Sequence, residues 1–309
     1  MASEIKYNDV QLMLADPRTH IRSTLKVALS HAGLDNIDHT GTLDAISDSM
    51  EYSMGPDILI CDMGIGDGEI VDLVSRVRHN DVGKNPFVCV IGISWEAQAQ
   101  DIIRMINCGV DHLITAPLSP QQILSRISSL VHHRLPFVVT ADYVGPDRRK
   151  MLRPGKDFPV VDVPNSLKEK ALGVWNPQRF EKELLSAVGA VNTRKIDRQA
   201  EIIASLADSI TELAHEPNGT ARIQPQIERL TSLVTEMDRR ATENGLHHIA
   251  ELCRACVSVV SEMHSQETNP TDRDLEVLKH LGMAIRAGLY PVEANKGLAE
   301  DIIKTVAAR

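Results

Sequence analysis

Two uninterrupted apolar runs constrain this chain most. Ile58-Leu59-Ile60-Cys61 lies between Asp57 and Asp62, and Phe87-Val88-Cys89-Val90-Ile91-Gly92-Ile93 leads into Ser94. Both have strand length, and neither alternates apolar with polar residues. A strand that is apolar at every position must be covered on both faces, which is the condition of an inner strand of a parallel sheet. Asp62 closes the first run and is followed by Met63-Gly64-Ile65-Gly66-Asp67-Gly68. A carboxylate at the C-terminal end of such a strand, on a Gly-rich loop, sits where open α/β sheets place their chemistry.

The same logic extends over residues 8–135. Val10–Leu14 reads as a first strand, ending at Ala15-Asp16-Pro17, and Asn36–Thr40 as a short edge strand. His112–Thr115 reads as a last one. Between them, apolar residues recur at helical spacing: Ile21, Leu25, Ala28 and Leu29; Leu43, Ile46 and Met50; Ile70, Leu73, Val74 and Val77; residues 96–107; and Ile123, Ile127, Leu130 and Val131 after Pro120. Five strands alternating with five helices predict an α/β fold with a doubly wound, five-stranded parallel sheet over residues 1–135.

Residues 136–178 break this pattern. Pro136, Pro146, Pro154, Pro159, Pro164 and Pro177 interrupt any long element. The stretch reads as an extended connector in which Phe137–Thr140 adds a small strand or packs on the first domain. Residues 179–309 carry no strand pattern. Apolar stripes run through Ile196, Ile203 and Ile210, through Ile227, Leu230 and Val234, through Ile249, Cys253, Cys256 and Val260, and through Leu275, Leu278 and Ile285. A further stripe follows through Ala299, Ile302, Ile303 and Val306. Breaks at Pro217-Asn218-Gly219, Gly245, Asn269-Pro270 and Tyr290-Pro291 divide them into an all-α helical bundle.

Composition narrows the function classes. A chain of 309 residues with 43% hydrophobic content supports two domains. A net charge of −9 and only 3% aromatic residues argue against a general nucleic-acid binder. Residues 193–309 also carry more Asp and Glu than Lys and Arg, and no basic recognition helix stands out, so DNA is not an expected partner. The five scattered cysteines read as reduced thiols. Met1–Lys6 lacks the apolar core of a signal peptide, and no uncharged stretch reaches the roughly 18 residues a membrane span needs. The expectation is a cytoplasmic, soluble protein.

Asp16 after the first strand and Asp62 after the third converge at one sheet edge. Two carboxylates there suit Mg²⁺, which takes hard oxygen ligands. A carboxylate is also a nucleophile toward a phosphoryl group. Ser94, at the end of the fourth strand, is placed to donate to a phosphoryl oxygen. With these residues, Gly92-Ile93-Ser94-Trp95-Glu96-Ala97, Gly109-Val110-Asp111 and Ala116-Pro117-Leu118, in this order and spacing, residues 8–135 resemble the receiver domain of bacterial two-component response regulators. The resemblance covers nearly half the chain. It implies that Asp62 is the phosphoacceptor, that Asp16, Asp62 and the Gly64 carbonyl hold Mg²⁺, and that Ser94 is the switch hydroxyl. A sensor histidine kinase or phosphotransfer protein is then the implied phosphoryl donor. The helical domain is expected to bind a protein partner or to self-associate as a homodimer.

Three positions depart from the family pattern. Ala15 stands where a second acid is usual, Ala116 replaces the Lys before the proline, and Leu113 replaces the switch aromatic. Losing a point charge beside a phosphoryl dianion weakens its binding and readout. The alternative is therefore a phosphorylation-independent scaffold, with a phosphotransfer protein using a bundle histidine as the weaker one. Against the latter, none of His215, His247, His248, His264 and His280 has the Lys-Gly signature three and four residues on.

Two other signals have plainer readings. Cys253-Arg254-Ala255-Cys256, near His247 and His248, has metal-like spacing but lies on an apolar stripe and reads as core. Asp147-Arg148-Arg149-Lys150, with Arg153 and Lys156, is a basic cluster that reads as a solvated linker, with acidic protein or nucleic acid as the other reading. The preceding Tyr143-Val144-Gly145-Pro146 resembles a segment that follows receivers in some alphaproteobacterial regulators. No phosphate-binding loop, GGDEF-type or EAL-type motif is present, so an output enzyme is not expected.

Overall fold

In the computed structural model, residues 5–95, 98–149, 160–216, 220–265 and 270–289 are described. They divide into two compact units, Met1–Val191 and Asn192–Arg309.

The first unit is built on five parallel strands: β1 (Gln11–Ala15), β2 (Asn36–Thr40), β3 (Ile58–Asp62), β4 (Cys89–Ser94) and β5 (His112–Thr115), in the order β2-β1-β3-β4-β5. Every residue of β3 and β4 is buried, as their continuous apolar sequence requires. Side chains alternate between two cores. Leu12, Leu14, Ile60 and Ile91 face α1 (Thr19–His31) and α5 (Pro120–His133). Met13, Leu59, Cys61 and Val90 face α2 (Leu43–Glu51) and α3 (Ile70–Arg78). Each fully buried Leu or Ile contributes about 1.5–3 kcal/mol of hydrophobic stabilisation. α4 (Ala99–Asn107) starts later than its expected range of 96–107, because Gln98 and Asp101 form a capping box at its start. It has no fully buried residue, and Ile103 is exposed. The chain leaves β1 toward one side of the sheet and returns through β3 to the other. The crevice at this switch point lies at the C-terminal ends of β1 and β3.

Residues 136–178 hold more structure than an extended connector. β6 (Phe137–Val139), β7 (Val144–Pro146) and β8 (Val160–Val161) form a small antiparallel sheet in the order β7-β6-β8. The prolines forbid long elements but not strands of two or three residues. α6 (Ser166–Ala171) adds Leu167 and Ala171 to the core beneath α1 and α5. Lys170 pairs with the buried Asp57 at 2.8 Å. α7 (Pro177–Ala214) is capped by Asn176, whose side-chain oxygen accepts from the Arg179 N–H at 2.9 Å. Its first turns pack Phe180, Leu184, Ala187 and Val191 on the small sheet, so the division between units falls inside this helix.

The clamp behind that docking is electrostatic. Asp111, at the start of β5, is buried between Arg78 and Arg134, each 2.9 Å away. The Arg78 guanidinium also donates to the carbonyls of Gly109, Pro86 and Val88. Both guanidinium groups lie 5.2 Å from the Phe137 ring, which carries β6 onto the sheet. Burial alone pushes the Asp111 carboxyl up. The charges of Arg134 and Arg78, with hydrogen bonds from Arg134 and the Val90 N–H, outweigh it and hold the group below the usual carboxylate range.

The second unit contains the rest of α7 with α8 (Thr220–Glu243), α9 (His247–Ser265) and α10 (Asp272–Gly288). Its core gathers the expected stripes, including Ile203, Ile210, Leu230, Val234, Ile249, Leu252, Leu278 and Ile285. Gly245 ends α8 at φ +72° and lets the Leu246 N–H reach back to the Ala241 carbonyl at 2.8 Å. Thr271 and Asp274 form a capping box for α10. Cys253 and Cys256 are fully buried in this core, and burial pushes both thiols up, Cys256 to about 12. His215, His247, His248 and His280 are exposed. The breaks at residues 217–219 and at Tyr290-Pro291, and the stripe through Ala299–Val306, lie outside the described residues. No helix among the described residues is long and apolar enough to cross a membrane.

Two outcomes follow for stability. Asp111→Asn leaves two buried guanidinium groups without their carboxylate and is expected to cost about 3–5 kcal/mol. Urea unfolding followed by tryptophan fluorescence measures it, since Trp95 and Trp175 both lie in the first unit. Because the folded-state pKa of Asp111 is depressed, its ionic contribution is complete above the unfolded carboxylate pKa of about 3.9. The difference between wild type and variant should hold at neutral pH and shrink as pH falls below about 4 toward the folded-state pKa. In the second unit, a Cβ at Gly282 would lie 3.1 Å from the Ala207 Cβ. Gly282→Leu is expected to destabilise the bundle by about 1–3 kcal/mol by overpacking, read by far-UV circular dichroism.

Candidate functional site

Asp16 and Asp62 meet at the switch-point crevice. Asp16 follows β1 and is 1% exposed, and Asp62 ends β3 and is 7% exposed. The chain turns at Asp16-Pro17-Arg18, where Asp16 Oδ1 accepts from the Arg18 N–H at 2.8 Å. This is the Asx-turn expected of Asp ahead of a helix start. It puts Arg18 at the N-cap of α1 with its side chain over the crevice.

The Arg18 guanidinium bridges the two acids. Its Nε lies 2.9 Å from Asp16 Oδ1, and its Nη2 lies 2.7 Å from both Asp16 Oδ2 and Asp62 Oδ2. It stacks on Trp95 at 4.1 Å from the ring centre. The fork geometry with Asp16 is the bidentate arrangement Arg favours with a carboxylate. The hydrogen bond to Asp16 is the main cause that raises the Arg18 pKa. Asp62 also accepts from the Gly64 N–H, at 3.0 Å to Oδ1. Burial raises the Asp62 pKa, the Gly64 N–H opposes this, the Asp16 charge adds to it and the Arg18 charge reduces it.

Ser94 ends β4 beside Asp62, since Asp62 registers against Ile93. Its hydroxyl is buried and has no hydrogen-bond partner among the described residues. The backbone N–H of Ala116 donates to the Ser94 carbonyl at 2.8 Å, and Ala116-Pro117 is a cis peptide. Leu113 packs at the edge of the core against β4. Asp16, Asp62, Gly64 and Ser94 thus come together at one sheet end, while positions 116 and 113 contribute neither a lysine nor an aromatic ring to it. Glu96 and Ala97 lie outside the described residues.

Sequence reasoning missed Arg18. The available signal was its place two residues after Asp16, across a proline, where an Asx-turn aims the next side chain back over the acid. The basic cluster resolves differently from a solvated linker at Arg148, whereas Arg149 is exposed. Arg148 donates to the carbonyls of Ile106, Val110 and Asp111, and Arg149 pairs with Asp147 at 2.7 Å. Lys150, Arg153 and Lys156 lie outside the described residues.

The pocket is built for a cation. Two buried carboxylates aim oxygens at one positively charged group, and hard oxygen donors of this kind are those Mg²⁺ takes. No cluster of three or more His, Cys, Asp or Glu side chains suited to a metal occurs among the described residues. Any metal here would therefore rely on two carboxylates with backbone and solvent oxygens.

No family model matches the chain. Among curated proteins, it is 27% identical over 122 residues to the transcriptional regulatory protein PhoP of Escherichia coli (strain K12), covering 40% of this chain and 52% of that one. It is 26% identical over 127 residues to the virulence transcriptional regulatory protein PhoP of Salmonella typhimurium (strain LT2), with the same coverage. The chain spans about half the length of these relatives. Among solved structures, a CheY-like receiver domain protein from Methanospirillum hungatei JF-1 aligns with a TM-score of 0.35 and 19% identity, over 39% of this chain and 91% of that one. An orphan response regulator of H. pylori aligns with a TM-score of 0.34 and 17% identity, over 40% and 96%. Over about 40% of its length the chain is thus similar to response regulators and their receiver domains, and its helical region lies outside these alignments.

Proposed function

We propose that this chain is a two-component response regulator in which Asp62 accepts a phosphoryl group and the helical unit passes the signal to a protein partner. The observation that carries this reading is the buried Asp16–Asp62 pair beside an unpartnered, buried Ser94 hydroxyl. In the transfer step an Asp62 carboxylate oxygen attacks the phosphorus of a phosphohistidine donor. The N–P bond of the donor breaks, and the imidazole leaves with the electron pair. The donor is a sensor histidine kinase or a phosphotransfer protein. Asp16 and Asp62, with the Gly64 carbonyl, would hold Mg²⁺, which when bound neutralises charge on the transferring group. Ser94 Oγ donates to a phosphoryl oxygen, and the Gly64 N–H steadies the loop that must accommodate it.

With Ala116 and Leu113 in place of the lysine and the aromatic ring, the readout runs through the loop after Asp62 and through packing rather than through a ring flip. We place the output in protein contact rather than in DNA binding. The helical region carries excess acidic charge, and Arg148 is already engaged by carbonyls of the first unit. The reading assigns the chain no enzymatic output of its own.

Incubation with acetyl phosphate and Mg²⁺ is expected to give one phosphoryl adduct by intact mass in wild type and none in Asp62→Asn. Ser94→Ala should slow adduct formation about 10- to 100-fold, the equivalent of one hydrogen bond to a charged group. Absence of the adduct in wild type, with wild-type signalling preserved in Asp62→Asn, would instead establish the phosphorylation-independent scaffold.

A further inference from the structure

Arg18 is a cation already seated between the two acids. One of its nitrogens reaches an oxygen of Asp16 and an oxygen of Asp62, both at 2.7 Å. A divalent ion shared by the same two carboxylates needs those oxygens and that space. The guanidinium and the ion cannot hold them together, because two cations this close repel and both require the same lone pairs. The side chains differ in freedom. Asp16 and Asp62 are 1% and 10% exposed at their side chains, whereas Arg18 is 32% exposed. The acids are fixed by the ends of β1 and β3, and Arg18 stands at the helix start with a path to solvent. Its other contact is the face of Trp95.

We infer that Arg18 is an intramolecular competitor for the metal: it closes the Asp16–Asp62 pocket in the resting protein and must swing off Trp95 before Mg²⁺ binds. The inference rests on the reading of this pocket as a Mg²⁺ site. It gives the receiver a metal threshold that Asp16 and Asp62 alone would not set. It also assigns Trp95 a place in the device, as the surface against which the Arg18 guanidinium is held while the pocket is closed.

The test uses the full chain carrying Trp175→Phe, so that Trp95 is the sole tryptophan. Mg²⁺ is titrated into this parent and into its Arg18→Ala and Arg18→Gln variants, by isothermal calorimetry and by Trp95 emission. Circular dichroism verifies the fold, and Arg18→Gln keeps most of the side-chain volume should Arg18→Ala be unstable. The expected result is Mg²⁺ affinity at least ten-fold tighter in both variants. The parent should show a Trp95 emission change on metal addition that the variants lack. Equal affinity in all three proteins, abolished by Asp62→Asn, would overturn the competition while leaving the pocket a metal site. No binding in the parent or in either Arg18 variant would overturn the metal reading itself, and the competition with it.

Discussion

Burial of β3 and β4 on both faces is the constraint on which the rest of this chain depends. A strand with no polar face cannot lie at a surface, so helices must cover it above and below, and each crossover must run from the end of one strand to the start of the next. That connectivity sends the chain out from β1 to one side and back through β3 to the other. The loops at those two strand ends part, and the gap between them takes in Asp16 and Asp62. The chemistry of the pocket therefore follows from the hydrophobic pattern of strands several residues away. The buried carboxylates carry a desolvation cost that the Gly64 N–H and the Arg18 guanidinium partly offset.

A second constraint operates at the opposite end of the sheet. Asp111 lies between two arginines in a place that excludes water, and the group as a whole retains one uncompensated positive charge. Backbone carbonyls of Gly109, Pro86 and Val88 and the π face of Phe137 absorb it. Phe137 belongs to β6, so the same interaction that stabilises β5 also fixes the segment following the receiver. Lys170 on Asp57 repeats the arrangement at lower cost. The stretch that leads toward the helical region is thus held by charge as well as by packing. A change in the sheet has a physical route into the first turns of α7 through Phe137, Phe180 and Leu184.

Much of the receiver was legible because its elements are long and strongly patterned. The apolar runs at 58–61 and 87–93 became β3 and β4, and the stripes through Ile203, Leu230, Ile249 and Leu278 became the helical core. Of the small sheet only β6 was legible, in the run Phe137–Thr140, whereas its partners β7 and β8 were not. They are two or three residues long, too short for any period to show, and proline density masked them. The Asp111 network escaped for a different reason. Arg78, Asp111 and Arg134 are far apart in sequence, and although Asp111 stood out in the Gly109-Val110-Asp111 motif, nothing local pairs it with either arginine. At the candidate site, Asp16, Asp62 and Ser94 were visible as residues at strand ends. Arg18 was not, since its role depends on the direction in which one turn aims a flexible side chain.

The substitutions at the pocket make sense as a set once Arg18 is counted. Relative to the family pattern, Ala15 removes one negative charge and Ala116 removes one positive charge, and Arg18 restores a positive charge on the other side of Asp62. Position 116 follows β5, on the far side of β4 from Asp16. Arg18 approaches from α1 and closes the space between the acids. The number of positive charges is kept while one acid is lost, so the pocket is one charge more positive, and the cation sits in a different place. Set beside the acids, it offsets the repulsion between the two buried carboxylates.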